Sequence, residues 1–249
     1  MSDTTQALTY ANYLKLEELL SLQQPRSSGP EHDEMLFIVI HQVYELWFKQ
    51  LLHELDRVKA LLEQDESHRA QHTLKRILTI LKVMVAQLDI LETMTPLEFL
   101  SFRARLEAAS GFQSDQFRQI EFVLGLQSEQ AIARFPEGGR ARAALERRYH
   151  ESTLWDAFLQ YLRREGYQFE DLQPTLIIIY KNDPKNAELC ERLVDLDEGI
   201  QEWRYRHVKM VERTIGARPG TGGSAGAAYL RETVGRPLFP DLWAIRSQL

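Results

Sequence analysis

Two histidines far apart in the chain stand among large apolar side chains: His41 in MLFIVIHQVYELW and His207 in EWRYRHVKMVERTIGARPGTGGSAG. The spacing of the apolar residues around them puts both on helices. An imidazole in such surroundings has three uses. It ligates a metal or haem iron, serves as the polar group of a closed pocket, or fills a core with its hydrogen bonds met. Taken alone, each is more readily a core or helix-surface histidine with its hydrogen bonds met, although Trp203, Tyr205, Met210 and Val211 are the company a buried axial ligand at His207 needs. Arg103, in FLSFRARLEAASGF, is more informative. Phe99 lies one turn before it and Phe102 beside it, and a guanidinium buried among rings demands an anion. If that face is internal, a ligand carboxylate can supply it. The segment GARPGTGGS lacks both the lysine and the preceding strand of a phosphate loop. Its backbone N–H groups and the Thr221 hydroxyl suit a carboxylate or an amine, and a plain connector is the equal alternative.

Other constellations are weaker. No histidine has a glutamate three residues before it, so the paired Glu-x-x-His motifs of di-iron bundles are missing. His68 and His72 are four apart, but Asp65, Glu66, Arg69 and Gln71 make their surroundings a solvated helix face. One cysteine excludes a zinc-type Cys/His set.

The elements that must hold these residues are helical almost throughout. Tyr13, Leu14, Leu16, Leu19 and Leu20 stripe a helix over 10–22. The segment QQPRSSGPEHD then breaks the chain into a linker. Long helices are predicted over 34–63 and 67–92, with no proline or glycine inside either. Thr95-Pro96-Leu97-Glu98 reads as a capping box with proline at the first helical position, and the helix it opens should run to Ser110-Gly111. Amphipathic stretches follow over 114–126 and 140–164. Residues 176–180 (LIIIY) suit strand or buried helix, and with no partner strand they read as helix or loop. Asp183-Pro184 starts a last long helix that Gly216 stops, and the Pro219–Ser224 loop precedes a short helix and an aromatic C-terminal stretch. The fold class expected is all-α: a bundle of long antiparallel helices around a pocket. Residues 1–249 are expected to form one domain, with 1–30 a helix and linker detached from it.

Composition narrows the function. The chain has 249 residues, 44% apolar and 27% charged, with a formal net charge of −6. A nucleic-acid binder would carry a concentrated basic face. No apolar run reaches membrane-spanning length, and the N-terminal segment has no leader-like pattern. The lone Cys190 fits a reducing cytoplasm. From the residues alone the reading is an all-α protein in which a haem and amino-acid pocket is one open alternative, beside ordinary core histidines.

Four blocks extend it: LTYANYLKLEELLSLQQP, HDEMLFIVIHQVYELWFK, LETMTPLEFLSFRARLEAASGFQSDQFRQIEF and WRYRHVKMVERTIGARPGTGGSAG. Over nearly its whole length the chain resembles the bacterial tryptophan 2,3-dioxygenases, haem enzymes that open the indole ring of L-tryptophan. The resemblance implies haem b with His207 as axial ligand to its iron, and Ser110 and Gly111 along the haem edge. It implies His41 as the distal histidine meeting the indole N–H, Phe37 on the indole ring, Arg103 on the substrate carboxylate, and Thr221 completing the contacts to carboxylate and ammonium. Tyr10, Tyr13 and Leu14 match a helix that reaches a neighbouring subunit's pocket, which implies a homotetramer with exchanged N-terminal helices. L-tryptophan and O2 are the expected partners. The alternative is a relative of the same fold that oxygenates another indole or aromatic amino acid. Two departures stand out. Phe99, which would also line the substrate site, replaces the tyrosine of many relatives, and the stretch between Gly166 and Asp183 is shorter than in typical members.

Overall fold

The computed structural model describes residues 7–29, 31–222 and 226–249; Pro30 of the linker, and Gly223 and Ser224 of the glycine-rich loop, lie outside the described residues. The described residues form helices and no strand: α1 (Tyr10–Leu14), α2 (Leu16–Leu20), α3 (His32–Glu63), α4 (Ser67–Leu91), α5 (Pro96–Arg103), α6 (Asp115–Val123), α7 (Glu129–Ile132), α8 (Arg140–His150), α9 (Leu154–Arg164), α10 (Leu172–Asn182), α11 (Pro184–Ile215), α12 (Ala227–Arg231) and α13 (Pro240–Ala244). No helix among the described residues is long and apolar enough to cross a membrane.

Three long helices carry the molecule. The 32-residue α3 turns back through Asp65 into α4, and α11, also 32 residues, packs along α4. At 1.5 Å per residue α3 and α11 are each about 48 Å long. Their apolar faces meet in one continuous core that includes Leu55, Val58 and Leu62 of α3, Leu74, Leu81 and Met84 of α4, and Leu189, Leu193 and Leu196 of α11. Gly199 sets how closely α11 approaches α4, because a Cβ there would stand 3.2 Å from Leu81 Cδ1. The C-terminal stretch closes the core with Leu238, Phe239, Leu242 and Ile245. It is held by the fully buried Asp197, whose Oδ2 accepts the backbone N–H of Leu238 (2.8 Å) and Phe239 (3.0 Å) and the Trp243 indole N–H (2.9 Å).

Several boundaries depart from the sequence expectation. The 10–22 helix is two short helices, broken at Lys15 in the left-handed region (φ 54°). The helix opened by the Thr95 capping box stops at Arg103 rather than at Ser110. A 3₁₀ turn over Ala104–Leu106 follows, then a tight turn closed by Ala109 N–H to Leu106 O at 2.7 Å, with Glu107 at φ 50°, ψ −115°. The 140–164 stretch divides because the Thr153 hydroxyl and Asp156 carboxylate cap a fresh start for α9. Residues 176–180 lie inside α10.

The linker is tied down rather than detached. The buried Glu34 carboxylate accepts the N–H groups of Arg26 (2.6 Å) and Ser27 (3.0 Å) and the Ser27 hydroxyl. Gln42, beside His41, accepts from the Gln23 side chain (2.5 Å) and donates to Leu22 O (3.1 Å). Beyond these ties α1 and α2 stand out from the chain, with Tyr10 76% and Tyr13 70% exposed.

Candidate active site

One large cleft opens where α3, α5, α6 and α11 meet the Ala104–Ser114 connector and the residues Gly220, Thr221 and Gly226. Counted out to its mouth, open solvent included, it spans about 1610 Å³. Phe37, His41, Phe99, Arg103, Ser110, Gly111, His207 and Thr221 all line it. Tyr10, Tyr13 and Leu14 do not line it in their own chain, where they lie on exposed short helices.

Helix α3 places Phe37 and His41 one turn apart, with ring centroids 4.1 Å from each other. Phe37 also meets Phe99 at 5.8 Å and Phe102 at 5.6 Å, and those two rings lie 5.5 Å apart edge to face. The three phenylalanines make an apolar wall beside the imidazole. His41 Nδ1 is 2.7 Å from the Phe37 carbonyl oxygen. A carbonyl only accepts, so Nδ1 carries the proton. Burial holds the His41 pKa below the ordinary imidazole value, against the Phe37 carbonyl and Glu45, which favour the cation. The ring is therefore neutral at pH 7, and Nε2 presents a lone pair.

His207 sits in α11 with its ring stacked on Trp203, centroids 5.2 Å apart and planes 5° from parallel. Burial lowers its pKa to about 4, and the positive charge of His41, when protonated, adds to the effect. No hydrogen bond or ion pair engages this imidazole among the described residues. A neutral, unpartnered imidazole on an apolar wall has the donor chemistry of a haem-iron ligand. Gly111, at the cleft edge, would find nothing within 4 Å of an added Cβ, so its backbone borders open space on the cleft side of Ser110. The residues fit haem. A bare ion is not supported: among the described residues no cluster of three or more His, Cys, Asp or Glu forms, and His68 and His72 are exposed on α4.

Arg103, on the last turn of α5, is half-buried. One Nη2 proton goes to Pro219 O at 2.6 Å, while Nε is buried with no partner. The anion that the sequence called for is not a protein carboxylate: no ion pair of Arg103 forms among the described residues. A ligand carboxylate would supply it. The Thr221 hydroxyl donates to Ala109 O at 2.6 Å, so only its lone pairs remain for a ligand. The strained backbone at Glu107, a region that costs a side-chain-bearing residue about 1–3 kcal/mol, lies two residues before this acceptor. Gly222 completes the seam, because a Cβ there would lie 2.7 Å from Ser110 Cβ.

Sequence reasoning did not foresee the packing of Phe102 on Phe37, the Trp203 stack on His207, or a largely buried Arg118–Glu121–Arg204 triad in the cleft wall, in which the Glu121 carboxylate takes both guanidiniums. Arg204 was the visible signal: it stands one turn before His207 on the same helix, where an unpaired charge would be costly.

The profile of the Tryptophan 2,3-dioxygenase family matches residues 1–165 and 140–249. The chain belongs to that family. A tryptophan 2,3-dioxygenase of Herpetosiphon aurantiacus is 58% identical over 264 residues, covering 98% of this chain and all of the relative. One from Anaeromyxobacter sp. strain K is 54% identical over 258 residues, covering 98% of this chain and 97% of the relative.

Proposed function

We propose that this chain is a haem-dependent dioxygenase that converts L-tryptophan and O2 to N-formyl-L-kynurenine, both oxygen atoms entering across the indole C2–C3 bond. The observation that carries the reading is the meeting in one cleft of an unpartnered neutral imidazole, His207, and a guanidinium without an anion, Arg103. The first suits an axial ligand and the second an α-amino acid. His207 would hold haem b through its iron, with Ser110 and Gly111 at the edge of the group, and the bound haem would supply the activation of O2.

The chain's own residues bind and orient. Arg103 takes the substrate carboxylate, its buried Nε offering one donor that nothing else uses. Thr221, its proton committed to Ala109, accepts from the α-ammonium. Phe37, backed by Phe99 and Phe102, forms the apolar wall for the indole ring. His41 receives the indole N–H on Nε2, the nitrogen its bond to Phe37 leaves bare. It positions the ring; an indole N–H is too weak an acid to need removal first. Correct placement of the reacting carbons contributes several kcal/mol of barrier lowering in such sites.

We take residues 1–249 as one domain acting in the cytoplasm, the latter on the unpaired Cys190. The assembly we propose is a homotetramer in which α1 and α2 reach a neighbouring subunit's cleft. The exposed Leu8, Tyr10, Tyr13, Leu14 and Leu20 support it, as apolar surface with no cover in their own chain.

Aerobic turnover of L-tryptophan by the haem-loaded, reduced protein tests the function. A product at substrate mass plus two oxygens is expected. A haem spectrum that responds to tryptophan with only one oxygen added, or none, would overturn the reaction while keeping the cofactor.

A further inference from the structure

Arg134 follows α7 on the surface, outside the cleft lining. Among the described residues it has no hydrogen bond and no ion pair. Its guanidinium is nevertheless placed, 4.4 Å from the centroid of Phe112 and 5.7 Å from that of Tyr229. These two rings meet edge to face at 5.4 Å, and both line the cleft. Phe112 directly follows Ser110 and Gly111. Tyr229 belongs to α12, which begins just after the loop that carries Thr221. One exposed cation thus covers the joint between the two segments that form the cleft rim.

The Thr221 loop has three other holds: Arg103 on Pro219 O, Thr221 on Ala109 O, and the close seat of Gly222 against Ser110. The first competes with substrate, because a carboxylate drawn to Arg103 shares its donors with Pro219. The outer joint, like the Thr221 and Gly222 holds, is one that substrate does not contest, and it is placed to compensate for the first when Arg103 is drawn away.

We propose that Arg134 is a positioning residue for tryptophan: by clasping Phe112 and Tyr229 it keeps the Thr221 loop seated while Arg103 turns to the substrate carboxylate. The proposal rests on the substrate reading above. A cation over two partly exposed rings contributes a modest amount per ring, which corresponds to an effect of about three- to tenfold.

The test uses the haem-loaded full chain with Arg134→Gln and Arg134→Lys. The glutamine variant should raise KM for L-tryptophan about three- to tenfold, leave kcat and Tm nearly unchanged, and speed amide exchange in residues 226–231. The lysine variant, which keeps a cation, should recover most of both losses. Unchanged exchange in the glutamine variant would overturn the clasp. Faster exchange with an unmoved KM would overturn its role toward substrate, and equal effects of lysine and glutamine would overturn the cation's part. If the wild-type chain does not turn over tryptophan at all, the substrate reading has failed, and the exchange measurement still decides the clasp.

Discussion

His41 Nδ1 lies 2.7 Å from the carbonyl oxygen of Phe37, its own neighbour one helical turn back, and that contact fixes which ring nitrogen faces the cleft as an acceptor. The hydrogen bond is intrahelical, so the tautomer is set by α3 before any ligand arrives. Replacing His41 with alanine removes the acceptor for the indole N–H. KM for L-tryptophan should rise about tenfold, the scale of one lost buried hydrogen bond, while haem content stays constant. An unchanged KM would take His41 out of substrate positioning.

Arg103 is the strongest anchor proposed. Arg103→Leu should raise KM for L-tryptophan by about a hundredfold, in line with loss of a buried, charge-assisted pair. Tryptamine, which has no carboxylate, should be an equally poor ligand for wild type and variant. A tryptamine affinity that falls along with that of tryptophan would mean the variant had damaged the pocket rather than the clamp.

Thr221 offers lone pairs and no proton, so it accepts more strongly from a charged ammonium than from a neutral hydroxyl. Wild type should prefer L-tryptophan to indole-3-lactate, and Thr221→Val should narrow that preference by about tenfold, one hydrogen bond to a charged group. Thr221→Ser should restore it. A valine variant that weakens both ligands equally would assign Thr221 to loop docking alone.

The pH dependence follows from His207. Its folded pKa, about 4, lies below the ordinary imidazole value of 6.5, so the folded cofactor-free chain binds fewer protons than the unfolded one. Its contribution to stability is complete above 6.5 and is lost as pH falls through 6.5 toward 4. Chemical unfolding of the cofactor-free chain should show declining stability across that window, and His207→Ala should flatten the decline and abolish axial ligation. Retention of a five-coordinate histidine haem spectrum in that variant would refute the ligand assignment.

Asp197 anchors the C-terminal stretch with three N–H bonds to a single oxygen. Asp197→Ala leaves those donors buried and unpaired and should destabilise the fold by about 3 kcal/mol or more, measured as a lower Tm. A Tm within a degree or so of wild type would show that water replaces the carboxylate.

Long-range periodicity made α3, α4 and α11 legible, because a helix without internal proline or glycine states its own length. Capping chemistry made α5 and α11 start where Thr95 and Asp183 stand. Endings were harder. The stop at Arg103 depends on the Glu107 turn, a left-handed conformation that glutamate does not announce, and the break before α9 lies in a Thr153 cap embedded in an otherwise helical pattern. At the site, the residues with unusual company, His207 and Arg103, were readable from sequence. The tie of Glu34 to Arg26 and Ser27 and the Thr221–Ala109 bond were not, since each joins a side chain to a backbone group whose position only the folded chain defines.

The close passage of α11 over α4 at Gly199 has a consequence for biosynthesis. A chain made from its N-terminus completes the α3–α4 hairpin first, while the helix that covers its apolar face does not begin until Pro184 and the last core side chains wait for residues 238–245. Nearly the whole hairpin surface destined for α11 is therefore uncovered during synthesis, an interval in which sticky helices find wrong neighbours. Folding yield in the cell should be governed by how that face is sheltered until the chain is finished.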